Sequence, residues 1–150
     1  MNRFRFRLQS VLRLRAAREE EKKREFGLSL GHLKQEEQRF DEITRSIDDL
    51  DRFRTEKSTG RISVGQMIQN FFFSRHLHTR KDEQHKKVEK AQEIVDEKRA
   101  EMTEATKKRK TIERLKERKR VQYEEDVRRE EQSLIDEIAT QHFPGNGQSR

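Results

Sequence analysis

"KSTGRISVG", residues 57–65, is the one stretch before Phe143 that reads as a break. Gly60 and Gly65 bracket a run of small residues, the strongest internal turn signal in the chain. The only proline is Pro144, so no proline forces an earlier helix end. Ser63 is placed to cap a helix starting at Val64, with Gln66 three residues later as in a capping box. A turn this short makes the helices on either side antiparallel.

Working outward, both flanks carry a helical repeat. Upstream, Phe26, Leu33, Phe40 and Ile47 recur every seven residues, and Leu30, Ile43 and Leu50 fill the three- and four-residue spacings. That is a narrow coiled-coil seam, and it extends back through Leu12, Leu8 and Phe4. Downstream the seam reads Val88, Ala91, Val95, Met102, Ala105, Ile112 and Leu115, then shifts register to Tyr123, Val127, Leu134 and Ile138. The prediction is an all-α fold, a long antiparallel two-helix coiled coil or helical hairpin. It is expected as one domain over 1–143: helix 1 about 3–56, turn about 57–63, helix 2 about 64–142. Residues 144–150 read as a flexible tail. At 1.5 Å per residue the helices would be roughly 80 and 115 Å long, so the end of helix 2 overhangs.

The composition agrees. Only 29% of the 150 residues are hydrophobic and 43% are charged, with a mean hydropathy of -1.31. A compact globule needs nearer half its residues apolar, whereas two helices sharing a thin seam do not. There is no cysteine, hence no disulfide framework. No apolar run reaches the length of a membrane span, and "SVLRLR" is too short and too charged for a signal sequence.

Against this background "QNFFFSRHL", residues 69–77, stands out. Phe71, Phe72 and Phe73 point about 100° apart on a helix, so one seam cannot hide all three. Seam geometry is expected to bury one or two of them near Phe53 and Leu50. Phe71 or Phe72 is then left outward, with Phe73 and Leu77 forming a stripe. Gly27 and Gly31 in "GLSLGHL" read as a soft spot in helix 1, or as a place where another backbone approaches.

Enzyme chemistry finds no support. Gly60 and Gly65 have the spacing of a phosphate-binding loop, but Gln66 and Met67 follow where Lys and Ser/Thr are required. His32, His76, His78, His85 and His142 show no metal-ligand spacing. No catalytic residue, metal, cofactor or small-molecule substrate is expected.

The charges are unevenly placed. "MNRFRFRLQSVLRLR" carries five arginines and no acid, and "KKRKTIERLKERKR", residues 107–120, has nine basic and two acidic residues. A turn centred near residue 61 would set residue 10 beside about residue 111, so the two basic blocks share one end. Cations there repel one another and oppose the helix dipole. Two readings stand: a solvated surface, or an electropositive tip that docks on an acidic protein surface. A nucleic-acid-reading arm is disfavoured, because Phe4, Phe6, Leu8, Val11, Leu12 and Leu14 interrupt the arginines.

These residues together resemble the flagellar FliJ family. "FRFRLQSVLRLR" ahead of an acidic helix is similar to the family's start. "MIQNFFFSRHL" is similar to the opening of its second helix, and "KTIERLKERKRVQYEEDVRREEQSLIDEIA" to its C-terminal segment. The resemblance implies a non-enzymatic, cytoplasmic component of flagellar type III protein export, peripheral to the inner membrane at the flagellar base. It implies a central stalk in the hexameric export ATPase that also meets the cytoplasmic linker of the large export-gate protein and binds export chaperones. Carried over by position, the gate-contacting residues are Phe71, Phe72, Phe73 and Leu77, with Ile43 and Leu50 on helix 1. Arg3, Arg5, Arg7, Leu8, Leu12, Arg13 and Arg15, with Arg118 and Arg120, fall at the ATPase-binding end. An injectisome stalk of the YscO kind, a nucleic-acid-binding coiled coil, and a peripheral membrane contact at residues 3–15 are the alternatives.

Overall fold

The computed structural model describes residues 3–57, 60 and 63–142. The expected tail at 144–150 and most of the expected turn lie outside the described residues. Two helices account for nearly all the rest, α1 (Gln9–Lys57) and α2 (Val64–His142). The fold is all-α, an antiparallel helix pair of the coiled-coil type, with no strand among the described residues.

The start of α2 follows from local side-chain chemistry. The Gln66 N–H donates to Ser63 Oγ at 3.2 Å, and the Ser63 N–H donates to Gln66 Oε1 at 3.3 Å. Two donors that the first turn leaves without helical partners are thereby satisfied reciprocally.

The start of α1 corrects the expected boundary near residue 3. Residues 3–6 are not helical and 7–8 form a turn. In "RFRFR" apolar and charged residues alternate with a period of two, which suits an extended segment and would scatter Phe4 and Phe6 around a helix. Accordingly Phe4 and Phe6 are half-buried while Arg3, Arg5 and Arg7 are exposed.

The chain divides into two compact units, Glu19–Ala105 and Met1–Arg18 with Thr106–Arg150. In the first, partner numbers rise on α2 as they fall on α1. Arg54 donates to the Asn70 carbonyl, Phe40 meets His85 edge-on at 5.8 Å, Lys98 pairs with Glu25 at 3.1 Å, and Lys22 with Glu101 at 2.8 Å. That sequence of contacts defines an antiparallel pair. Its seam holds two apolar clusters: Ile43, Ile47 and Leu50 with Leu77, and Leu33 with Ala91 and Val95, flanked by Phe26 and Val88. Burying each large aliphatic side chain contributes about 1.5–3 kcal/mol. Between the clusters lies a buried polar pair, Glu36 and Gln84.

In the second unit the seam is thinner. Phe4 lies against Tyr123 with ring centroids 5.6 Å apart, and Lys116 Nζ donates to Gln9 Oε1 at 3.0 Å. Residue 10 thus lies near residue 115, about one helical turn beyond the expected neighbour. Val127 is half-buried, whereas Leu134, Ile135 and Ile138 are exposed.

Candidate functional site

The first candidate surface opens α2. Leu77 is only 4% exposed, locked against Ile43, Ile47 and Leu50. It marks the direction of the seam. At about 100° per residue, Ile68 stands about 180° from Leu77, Val64 and Phe72 about 140°, Phe71 about 120°, and Phe73 about 40°. Phe71 and Phe72 thus point away from the seam and are 59% and 61% exposed, while Phe73, at the seam's edge, is still 51% exposed.

This corrects the expectation that one or two of the three are buried, and it splits the expected Phe73–Leu77 stripe into an exposed ring and a buried leucine. Leu77 takes the seam position, while two turns earlier Arg54 reaches across to the Asn70 carbonyl. The six residues expected to share a role fall into two sets. Ile43, Leu50 and Leu77 are core, whereas Phe71, Phe72 and Phe73 are surface. Phe71 and Phe72 pack on each other edge-on at 5.9 Å, and Val64, Met67 and Ile68 extend the apolar surface toward the helix start. From Val64 through Lys81 there is no acidic residue. An exposed patch of this kind on so polar a chain is a candidate contact surface.

The second candidate surface lies in the other unit. Arg3, Arg5, Arg7, Arg13, Arg118 and Arg120 are exposed, and Arg15 is half-buried. Among the described residues Arg3, Arg5, Arg7, Arg13, Arg15 and Arg118 make no ion pair, whereas Arg120 pairs with Glu124 at 2.9 Å. The Glu124 hydrogen bond raises the Arg120 pKa further. Leu12 is half-buried and Leu8 37% exposed. Residues 3–8, with Leu115, Lys119 and Tyr123, line an open groove of about 630 Å³ with an apolar floor and a cationic rim.

Gly27 and Gly31 have open space where a Cβ would stand, so no neighbour within the fold requires glycine there. Among the described residues no group of three His, Cys, Asp or Glu is placed to hold a metal ion. Among the described residues no helix is long and apolar enough to cross a membrane.

Sequence reasoning missed Glu36, Gln84 and the cradle of residues 3–8. Heptad counting could have found the first two, since Leu77, Gln84 and Ala91 are seven apart, as are Glu36, Ile43 and Leu50. The period-two alternation of residues 3–7 signals the third.

No curated protein and no solved structure matches the chain. The family model described as "Flagellar FliJ protein" matches residues 4–148, which takes in both surfaces and both helices. The chain therefore belongs to the flagellar FliJ protein family, a family of flagellar export components.

Proposed function

We propose that this protein is the central stalk of the hexameric flagellar export ATPase and couples that ATPase to the export gate, without catalysing a reaction itself. The observation that carries the reading is that all three rings of the Phe71–Phe73 triplet are more than half exposed beside a seam already filled by Leu77. None of the three belongs to the buried core, which favours a use in binding a partner. The partner is the cytoplasmic linker of the export gate, with Phe71, Phe72 and Phe73 as anchors. Ile43, Leu50 and Leu77 hold the helix that presents them.

The arginines at residues 3–15, with Arg118 and Arg120, steer the other surface onto the export ATPase. Charges on opposed surfaces chiefly raise the association rate and lose effect with salt. Export chaperones bind as further partners, and the protein works in the cytoplasm at the membrane-facing base of the flagellum, where its loss stops motility.

The test is a pull-down of purified export ATPase and gate linker by the full chain. Reversing Arg7, Arg13 and Arg15 to Glu should weaken ATPase capture at low salt and leave gate capture and helicity unchanged. Replacing Phe71, Phe72 or Phe73 with Ala should do the converse. Capture of neither partner by the parent chain would overturn the reading.

A further inference from the structure

The cradle formed by residues 3–8 has more structure than a basic patch needs. Its segment 3–6 is non-helical and runs across α2 with Phe4 on Tyr123, turning Phe4 and Phe6 inward and Arg3 and Arg5 outward. Among the described residues its one backbone hydrogen bond is that accepted by the Phe6 carbonyl from the Gln9 N–H, at 3.1 Å. Among the described residues the main-chain groups of Arg3, Phe4 and Arg5 make no hydrogen bond, which leaves this edge of the segment unpaired. Lys119, on the facing helix, donates to Gln122 and not to an acid. Four cations, Arg3, Arg5, Arg7 and Lys119, thus rim an apolar floor that no acidic side chain lines.

We propose that this cradle binds an extended acidic peptide of a partner protein, in which acidic and apolar residues alternate, by adding it as a strand along residues 3–6. The proposal rests on reading the basic surface as a docking site and names what docks there. Alternate residues of an extended chain are about 6.6–7 Å apart, so arginines at positions 3 and 5 match carboxylates two residues apart on a paired strand. The guanidinium fork takes each carboxylate in a bidentate fashion. The intervening apolar side chains of the peptide reach Phe6, Leu8 and Leu115. A helical partner fits less well, because its carboxylates would leave the unpaired edge without partners.

The chain carries one tyrosine and no tryptophan, so tyrosine emission reports on Tyr123 in the cradle itself. The full chain is titrated with a capped hexapeptide alternating Glu with Val and Phe, and with its block isomer, three Glu followed by the apolar residues. The alternating peptide should change the emission saturably, and the block isomer should bind about tenfold more weakly. Two N-methylated forms, one methylated on the Glu amides and one on the apolar amides, expose opposite strand edges. One should lose binding and the other keep it. Arg3→Gln, Arg5→Gln and Arg7→Gln combined should abolish the titration with helicity unchanged, since these residues precede α1.

Equal binding by the two isomers, or by the two N-methylated forms, overturns strand addition. So does tighter binding of a single-stranded oligonucleotide of equal charge. If the peptide arms fail while arginine reversal still weakens ATPase capture, the docking reading stands and only the strand geometry falls.

Discussion

Gln84 donates its side-chain amide to Glu36 twice, to a carboxylate oxygen and, at 3.0 Å, to the main-chain carbonyl of the same residue. Both residues are buried in the seam between the two apolar clusters. The bond holds the Glu36 carboxyl below its ordinary pKa, against the opposing effect of burial, with the Arg39 charge assisting. A polar pair in an apolar seam fixes register, because any slide of one helix leaves both groups without partners. Gln84→Leu should therefore destabilise the protein more than Glu36→Gln, which keeps an acceptor for the amide. The double change Glu36→Leu, Gln84→Leu should recover stability but lose unique register. Thermal melts give the first outcome. For the second, a disulfide between Leu33→Cys and Ala91→Cys should form readily in the parent and incompletely in the double variant.

Lys22, Glu25, Lys98 and Glu101 form a network of ion pairs across the helices at 2.8–3.3 Å. Hydrogen bonds from Lys22 and then Lys98 lower the pKa of both carboxyls. The Lys22 pKa is raised by Glu101 and then Glu25, and that of Lys98 by Glu25 and then Glu101. A lowered carboxyl stabilises the fold above its ordinary value, about 4.3, and that contribution goes as pH falls through the lowered value. A raised amine stabilises below its ordinary value, about 10.4, and its contribution goes as pH rises through the raised value. The melting temperature should hold between those limits and drop on the acid side. Glu25→Gln with Glu101→Gln should lower the plateau and flatten the acid limb. An acid limb as steep as the parent's would refute the network's part in it.

Leu77 and Phe72 lie five residues apart on α2 with opposite roles. Leu77→Ala should cost about 2–5 kcal/mol, because it empties a site enclosed by Ile43, Ile47 and Leu50. Phe72→Ala should shift the melting temperature little, as an exposed position does, yet reduce gate-linker capture by the factor of about thirty that a 2 kcal/mol anchor represents. Proportional loss of capture and stability across the three Phe→Ala variants would return the triplet to a structural role.

Val95 is 1% exposed and Ala91 2%. Val95→Ala should destabilise by roughly 2 kcal/mol through the two lost methyl groups. Ala91→Leu should destabilise by about 1–3 kcal/mol for the opposite reason, since no volume is left beside Leu33. Chemical denaturation monitored by circular dichroism measures both.

The start of α2 was legible because Ser63 and Gln66 act within one turn, where sequence spacing and spatial distance coincide. The seam at Leu33, Ile43, Ile47 and Leu50 was legible because apolar residues of a heptad repeat meet only one neighbour. Phe73 and Leu77 were grouped in one stripe because a four-residue spacing puts them on one side of the helix, and only the opposite helix decides which of the two it covers. Glu36 and Gln84 escaped because apolar counting skips polar residues at seam positions. The cradle escaped because Phe4, Leu8 and Leu12 also fit a four-residue helical spacing, which hid the alternation of residues 3–7. The identity of a partner is not a property of the seam, and the partners proposed above rest on likeness to a family.

Pairing that descends on α1 while it climbs on α2 also restricts how the unit Glu19–Ala105 can change in length. One residue gained by α1 between Glu25 and Glu36 would rotate all that follows by about 100°. It would turn either Lys22 and Glu25 or Ile43 and Leu50 away from their counterparts. A tolerated insertion must be close to a heptad, and an equal one must arise at the facing stretch of α2 between Gln84 and Lys98. Length here comes in matched increments, set jointly by two stretches of the gene separated by dozens of codons. The reach of this unit is accordingly among its slowest properties to change, and the composition of its exposed faces among the quickest.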